Sequence, residues 1–212
     1  PAPRPPYGLF KSTDGGATFS FIWDGNVSLR GINHVEIDPS NSAVVYAAAF
    51  QQGIWRSADA GASWARIKTP LNVAVNNDRA EFAVAKLPDG KTRMYAGIGN
   101  TGSPAARLYR TDDASGAATF ADITSAGVLN YCTGQCWYDN FVYTPPGHPD
   151  IVYVGGSHQY GEIYGRSNGR GLVLSTDAGA SFTDMTVEYG DGTYSINLHP
   201  DHHALVVSPS DP

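Results

Sequence analysis

The sequence predicts an all-β chain folded as a β-propeller with four-stranded antiparallel blades. Three observations carry that prediction: a short turn motif recurs, each later copy follows a pair of short apolar segments with strand character, and the copies fall at blade spacing. The first copy is Gly8-Leu-Phe-Lys-Ser12-Thr-Asp14-Gly-Gly16-Ala-Thr18-Phe19. It returns as Gly53-Ile-Trp-Arg-Ser57-Ala-Asp59-Ala-Gly61-Ala-Ser63-Trp64 and as Gly171-Leu-Val-Leu-Ser175-Thr-Asp177-Ala-Gly179-Ala-Ser181-Phe182. A degenerate copy, Arg107-Leu-Tyr-Arg-Thr111-Asp-Asp113 followed by Thr119-Phe120, has extra residues in its turn.

Each copy reads as a β-hairpin. Alternating apolar positions precede the turn, Asp accepts backbone N–H bonds across it, and Gly supplies the positive φ that other residues resist. The closing aromatic opens the next strand and is expected to face inward. The strand pairs upstream are Asn33–Pro39 with Val44–Ala48, Phe82–Pro88 with Met94–Gly97, and Asn140–Pro145 with Ile151–Gly155. The turn-opening residues Ser12, Ser57, Thr111 and Ser175 are 45, 54 and 64 residues apart. Four-stranded units at roughly this period are blades, and the longer gaps leave room for insertions. No helical period competes.

The composition agrees. Of 212 residues, 42% are hydrophobic and only 16% charged, which excludes disorder. No apolar run approaches the ~18 residues of a membrane-spanning helix, so no membrane span is expected. The net charge of −6, with lysine only at 11, 68, 86 and 91, gives no basic patch for nucleic acid. Cys132 and Cys136 fit a small disulfide of an oxidising compartment, or half of a metal site.

The repeated Ser-x-Asp-x-Gly-x-Thr/Ser-Phe/Trp resembles the Asp-box, or BNR repeat, of sialidase-type and sortilin-like propellers, xyloglucan-cleaving glycosidases and large secreted bacterial proteins. Gln135–Asn140 and His199–Pro212 are similar to segments that open blades in such proteins. The resemblance implies a secreted, periplasmic or extracellular protein. It gives the Asp-box residues Ser12, Asp14, Gly16, Phe19, Ser57, Asp59, Gly61, Trp64, Thr111, Asp113, Ser175, Asp177, Gly179 and Phe182 a structural role, because equivalent turns repeated at blade peripheries cannot supply one distinct acid and base.

The blade phase predicts a partial blade over 7–23, complete blades over about 31–68, 79–124 and 139–186, and the first strand of a further blade over 202–208. The chain thus reads as a segment of a larger propeller. The remainder of that propeller, or a complementary chain, is then one expected partner; closure of the first hairpin on the last strand into four blades is the alternative.

Functional residues are expected where the chain enters each first strand, since these strands line the propeller axis. His34, Arg79, Glu81, Asn140, His202 and His203 are candidate binding residues there, and Asp139 and Asp201 a candidate catalytic pair. Hydrogen bonding of strand ends is the alternative role for such polar groups. Tyr160, Tyr164 and Arg166, in the long Ser157–Arg170 insertion, suit glycan or protein binding by stacking. His202 and His203 point to opposite faces of a strand, so no metal is expected, and no cofactor. The resulting expectation is a binding or scaffold module for a glycan or protein partner. The alternative is a xyloglucanase- or sialidase-like glycoside hydrolase, although the Phe-Arg-Ile-Pro segment typical of sialidases is missing.

Overall fold

The computed structural model describes residues 7–67, 79–99, 106–115, 118–125, 127–128, 131–132, 135–157, 171–185 and 201–208. These form antiparallel sheets whose strands follow one another in chain order. The first sheet pairs β1 (Leu9–Lys11) with β2 (Ser20–Trp23). The second holds β3 (Ile32–Ile37), β4 (Val45–Ala49), β5 (Gly53–Ser57) and β6 (Ala65–Arg66). The third holds β7 (Arg79–Lys86), β8 (Thr92–Gly99), β9 (Ala106–Thr111) and β10 (Ala121–Asp122). The fourth holds β11 (Asn140–Tyr143), β12 (Val152–Gly156), β13 (Leu172–Ser175) and β14 (Thr183–Asp184). The architecture is an all-β propeller, as the repeat spacing predicts.

Three of the outer hairpins are held by the same set of bonds. In the second sheet the Ser57 hydroxyl donates to Asp59 (2.7 Å) and accepts from Gly61 N–H (2.8 Å), while Asp59 accepts from the N–H and hydroxyl of Ser63. Ser12, Asp14, Gly16 and Thr18 repeat this, as do Ser175, Asp177, Gly179 and Ser181. Bonds from Thr18, Ser63 and Ser181 hold the three carboxyls down at about 2. Gly61 sits at φ 93°, a conformation that a side chain resists. In the degenerate third turn Thr111 reaches only the Asp113 backbone, and Asp113 accepts from Ser115 N–H. The turns also latch neighbouring sheets: Lys11 donates to the Ala60 carbonyl (2.8 Å) and Arg110 to the Ala178 carbonyl (2.6 Å).

The cores lie between sheets rather than within them. One packs Tyr46, Ala48 and Ile54 of the second sheet on Phe82, Met94 and Ala96 of the third. The other packs Tyr95 and Leu108 of the third on Val142, Val154 and Val173 of the fourth. The turn aromatics complete them by packing backwards: Trp64 stacks on Trp23 at 4.5 Å, Phe120 joins the first core and Phe182 the second. Phe19 departs from the inward expectation. It is 64% exposed, because its sheet has no sheet before it among the described residues.

Along the inner side, β7 lies between β3 and β11, so the first strands of the complete sheets stand side by side. Residues 202–208, expected as a further first strand, carry an isolated bridge at Ser208 instead. A ladder there would need a second strand, and the described residues supply none.

Candidate functional site

The inner strands bring the predicted polar residues into one line running from sheet to sheet. It begins at β3, where an irregularity between Ile32 and His34 lets two consecutive side chains reach β7. Asn33 donates to the Ala80 carbonyl (2.6 Å) and to Glu81 (3.0 Å). His34 lies 2.8 Å from Glu81 through Nδ1 and 2.9 Å from Glu36 through Nε2. Both ring nitrogens therefore face carboxylate oxygens, which only accept; the geometry asks for the imidazolium, with both nitrogens donating. Burial pushes His34 down, but the bonds to Glu36 and Glu81 outweigh it and raise it to about 9.

Glu81, 4% exposed at its side chain, also takes Arg79 Nε at 2.8 Å. Arg79 Nη1 continues to the carbonyl of Tyr138, the residue just before Asp139. The buried Asn140 amide is spent on fastening, donating to the Arg79 and Gly97 carbonyls (both 3.4 Å) and accepting from the Tyr131 hydroxyl (2.9 Å). A Cβ at Gly97 would come within 2.5 Å of that hydroxyl, so glycine is required there.

Asp139 lies against Asp201 and His203. Asp139 is fully buried, with His203 Nε2 2.9 Å from its Oδ1. Neither of its oxygens accepts a well-aligned hydrogen bond among the described residues. Burial raises the Asp139 carboxyl to about 6; His203 and Arg79 pull it down, while Asp201 pushes it up. The cover over this acid is thin. His203 has 45% of its side chain exposed, and Tyr138, 49% exposed, meets its ring edge-on at 4.8 Å. His202 turns away, with Nδ1 2.8 Å from the Gly156 carbonyl, as alternation along an extended chain requires.

The loop leading into β11 is pinned from below. Cys132 and Cys136 form a disulfide with Cα atoms 5.3 Å apart, and the Tyr138 and Asp139 N–H groups both donate to the Gln135 carbonyl (2.7 and 2.8 Å). Gly156 lets this loop lie on β12, since a Cβ there would strike Cys132 and the Asp139 carbonyl.

The geometry thus gathers His34, Arg79, Glu81 and Asn140 into an inter-sheet fastening, and Asp139, Asp201 and His203 into an acid cluster beneath one face. Tyr160, Tyr164 and Arg166 lie outside the described residues. Sequence reasoning missed Glu36 and Tyr138. Glu36 shows the strand alternation that also places His34, and Trp137-Tyr138 stand out as two aromatics before a candidate acid.

Fold and site together define a sector of a β-propeller whose inner strands carry polar groups to one face. No family model matches the chain. Over 98 residues, 44% of this chain and 9% of the relative, it is 37% identical to a protein named xyloglucanase from a Paenibacillus species. A GH74 enzyme from Niastella koreensis matches its structure with a TM-score of 0.59 at 21% identity, over 83% of this chain and 26% of that one. A GH74 xyloglucanase from Xanthomonas campestris matches with a TM-score of 0.55 at 21% identity, over 86% of this chain and 28% of that one. The structural likenesses speak for the fold alone. The chain spans a minor part of each of these proteins.

Proposed function

We propose that the chain is a sector of a secreted Asp-box propeller that hydrolyses glycosidic bonds in a polysaccharide, in the manner of a xyloglucanase. The observation that supports this reading is Asp139, a carboxyl raised to about 6 under the thin cover of Tyr138 and His203. A glycosidase needs such an acid to protonate the leaving oxygen, and its carboxyl must hold the proton near working pH. The likeness to the Paenibacillus xyloglucanase points the same way.

Asp201 has a different part from the one its spacing suggests. Two carboxyls that flank a glycosidic bond stand about 5–10 Å apart. Asp201 lies against the Asp139 carboxyl and adds to the upward push that burial gives it, so the two belong to one cluster rather than to opposite sides of a substrate. Binding without cleavage is the second reading, favoured by the complete burial of Asp139, which requires the cover to shift before substrate arrives.

The test is Asp139→Asn in the purified chain, assayed on xyloglucan and other polysaccharides. The expected result is a loss of about a hundredfold or more in cleavage, an unlowered melting temperature, and wild-type activity that falls as pH rises through about 6. Full activity in this variant would remove Asp139 from the mechanism. Glycan binding with no cleavage by either protein would favour the binding reading.

A further inference from the structure

An acid shut away from water has to be recharged. Asp139 is fully buried, and every proton it gives to a leaving oxygen must be replaced from solvent before the next turnover. The groups that act on its carboxyl are His203, Asp201 and Arg79. A guanidinium does not give up its proton in a protein, and Arg79 is committed to Glu81 and to the Tyr138 carbonyl. Asp201 is partly buried, with Oδ1 closed off from water. His203 is the one exposed residue of the three, with Nε2 2.9 Å from Asp139 Oδ1 and 45% of its side chain open to solvent.

The fold holds His203 in that bridging place. His202 Nδ1 lies 2.8 Å from the Gly156 carbonyl at the end of β12, and alternation along the extended chain turns His203 the other way, toward the acid. The acid is seated on the same strand end. Its loop lies on Gly156, where a Cβ would strike Cys132 and the Asp139 carbonyl, and its N–H donates to the Gln135 carbonyl at 2.8 Å. Tyr138 meets the imidazole edge-on with ring centres 4.8 Å apart, so the ring has a neighbour that orients it. An imidazole carries a nitrogen on each of two edges, and one can face a buried group while the other exchanges with water.

We propose that His203 is the proton relay of this site, passing protons from solvent to the buried Asp139 carboxyl between turnovers. The step balances. With Asp139 ionised, the neutral ring carries its proton on Nε2, the tautomer that faces a carboxylate with a donor. Solvent protonates Nδ1, the Nε2–H bond breaks and an O–H bond forms at Asp139 Oδ1. One proton from solvent thereby ends on the acid, and the ring is left neutral with its proton on Nδ1. Rotation of the exposed side chain into water then lets the ring lose that proton and regain one at Nε2. The present contact has hydrogen-bond length without hydrogen-bond alignment, as is common in catalytic pairs before substrate arrives. The inference rests on the hydrolase reading above and adds the residue that recharges its acid.

The experiment is carbon NMR of the Asp139 carboxyl in the purified chain, held at the midpoint of its titration, together with steady-state cleavage of xyloglucan. His203→Gln keeps a donor beside the carboxylate and His203→Phe keeps the ring against Tyr138, but neither passes a proton. In the wild type the protonated and ionised forms should average to one sharp signal. Both His203 variants should broaden or split that signal at an unchanged melting temperature, and should lower kcat about tenfold or more with KM unchanged. Asp201→Asn should lower the titration midpoint yet leave the signal averaged. A sharp averaged signal in His203→Gln overturns the relay, as does broadening in Asp201→Asn alone, which would move the route to Asp201. Wild-type cleavage that His203→Gln leaves intact overturns the relay and keeps the hydrolase reading. Slowed exchange in both His203 variants, in a chain that cleaves no glycan, keeps the relay and removes the hydrolase reading.

Discussion

Replacing His34 by glutamine should remove a pH-dependent part of the stability whose size follows from its surroundings. The ring bridges Glu36 on its own strand and Glu81 on β7, with only 26% of the side chain exposed. Burial alone would make the ring harder to protonate, yet the two carboxylates raise it from 6.5 to about 9. At 1.36 kcal/mol per pH unit this amounts to about 3 kcal/mol of linked stability. The sign follows from where the proton is held more tightly. The folded form binds it better, so the contribution is complete below 6.5 and is lost as pH rises through about 9. Urea denaturation of the wild type and His34→Gln at about pH 6 and about pH 10 should therefore give a difference of about 3 kcal/mol at the lower pH that shrinks toward zero at the higher. Comparing the two proteins cancels the titrating groups that do not touch His34. NMR of the ring carbons reads the His34 midpoint directly. A midpoint at or below 6.5, or a difference that does not change with pH, would refute the bridging imidazolium.

Two further outcomes follow from the turns and the pinned loop. Ser57→Ala leaves the buried Gly61 N–H without its acceptor and should cost about 1–3 kcal/mol in urea denaturation. Ser12→Ala, in an exposed copy where water can replace the hydroxyl, should cost distinctly less, and equal losses would show that burial does not set the cost. Removing the disulfide through Cys132→Ser with Cys136→Ser frees a very short loop, which chain entropy values at about 2 kcal/mol. A melting temperature unchanged by the double replacement would show that the Gln135 carbonyl and the neighbouring packing hold the loop alone.

What the sequence discloses and what it hides divide along the range of the interactions. The hairpin turns are legible because all their bonds close within a few residues; Ser57, Asp59, Gly61 and Ser63 specify their geometry without help from the rest of the chain. Strand order follows from the repeat. The fate of Phe19 was not legible, because an aromatic at that position buries only if the preceding sheet is there to receive it, as Trp23 receives Trp64. The candidate site shows the same division. Alternation predicts that His34 and Glu81 reach the inner side, but not that an irregularity beside Asn33 sends both Asn33 and His34 to one carboxylate. Asp139 and Asp201 stand 62 positions apart in the sequence, and their contact depends on the segment after residue 200 lying against β12 and the loop before β11.

The fastening and the acid cluster are mechanically joined, and Arg79 is the joint. One guanidinium nitrogen is committed to Glu81, whose other oxygen holds His34; a second is committed to the Tyr138 carbonyl, one peptide from the acid. Its charge also lowers Asp139, opposing the burial that raises it. Arg79 therefore acts on the acid in two ways, by holding the backbone beside it and by adding a positive charge that favours its ionised form. Lysine could supply the charge but not two directed bonds from one planar group. The spacing of the third and fourth sheets fixes the length that this side chain must bridge, and Glu81 ties the same group to His34 of the second sheet.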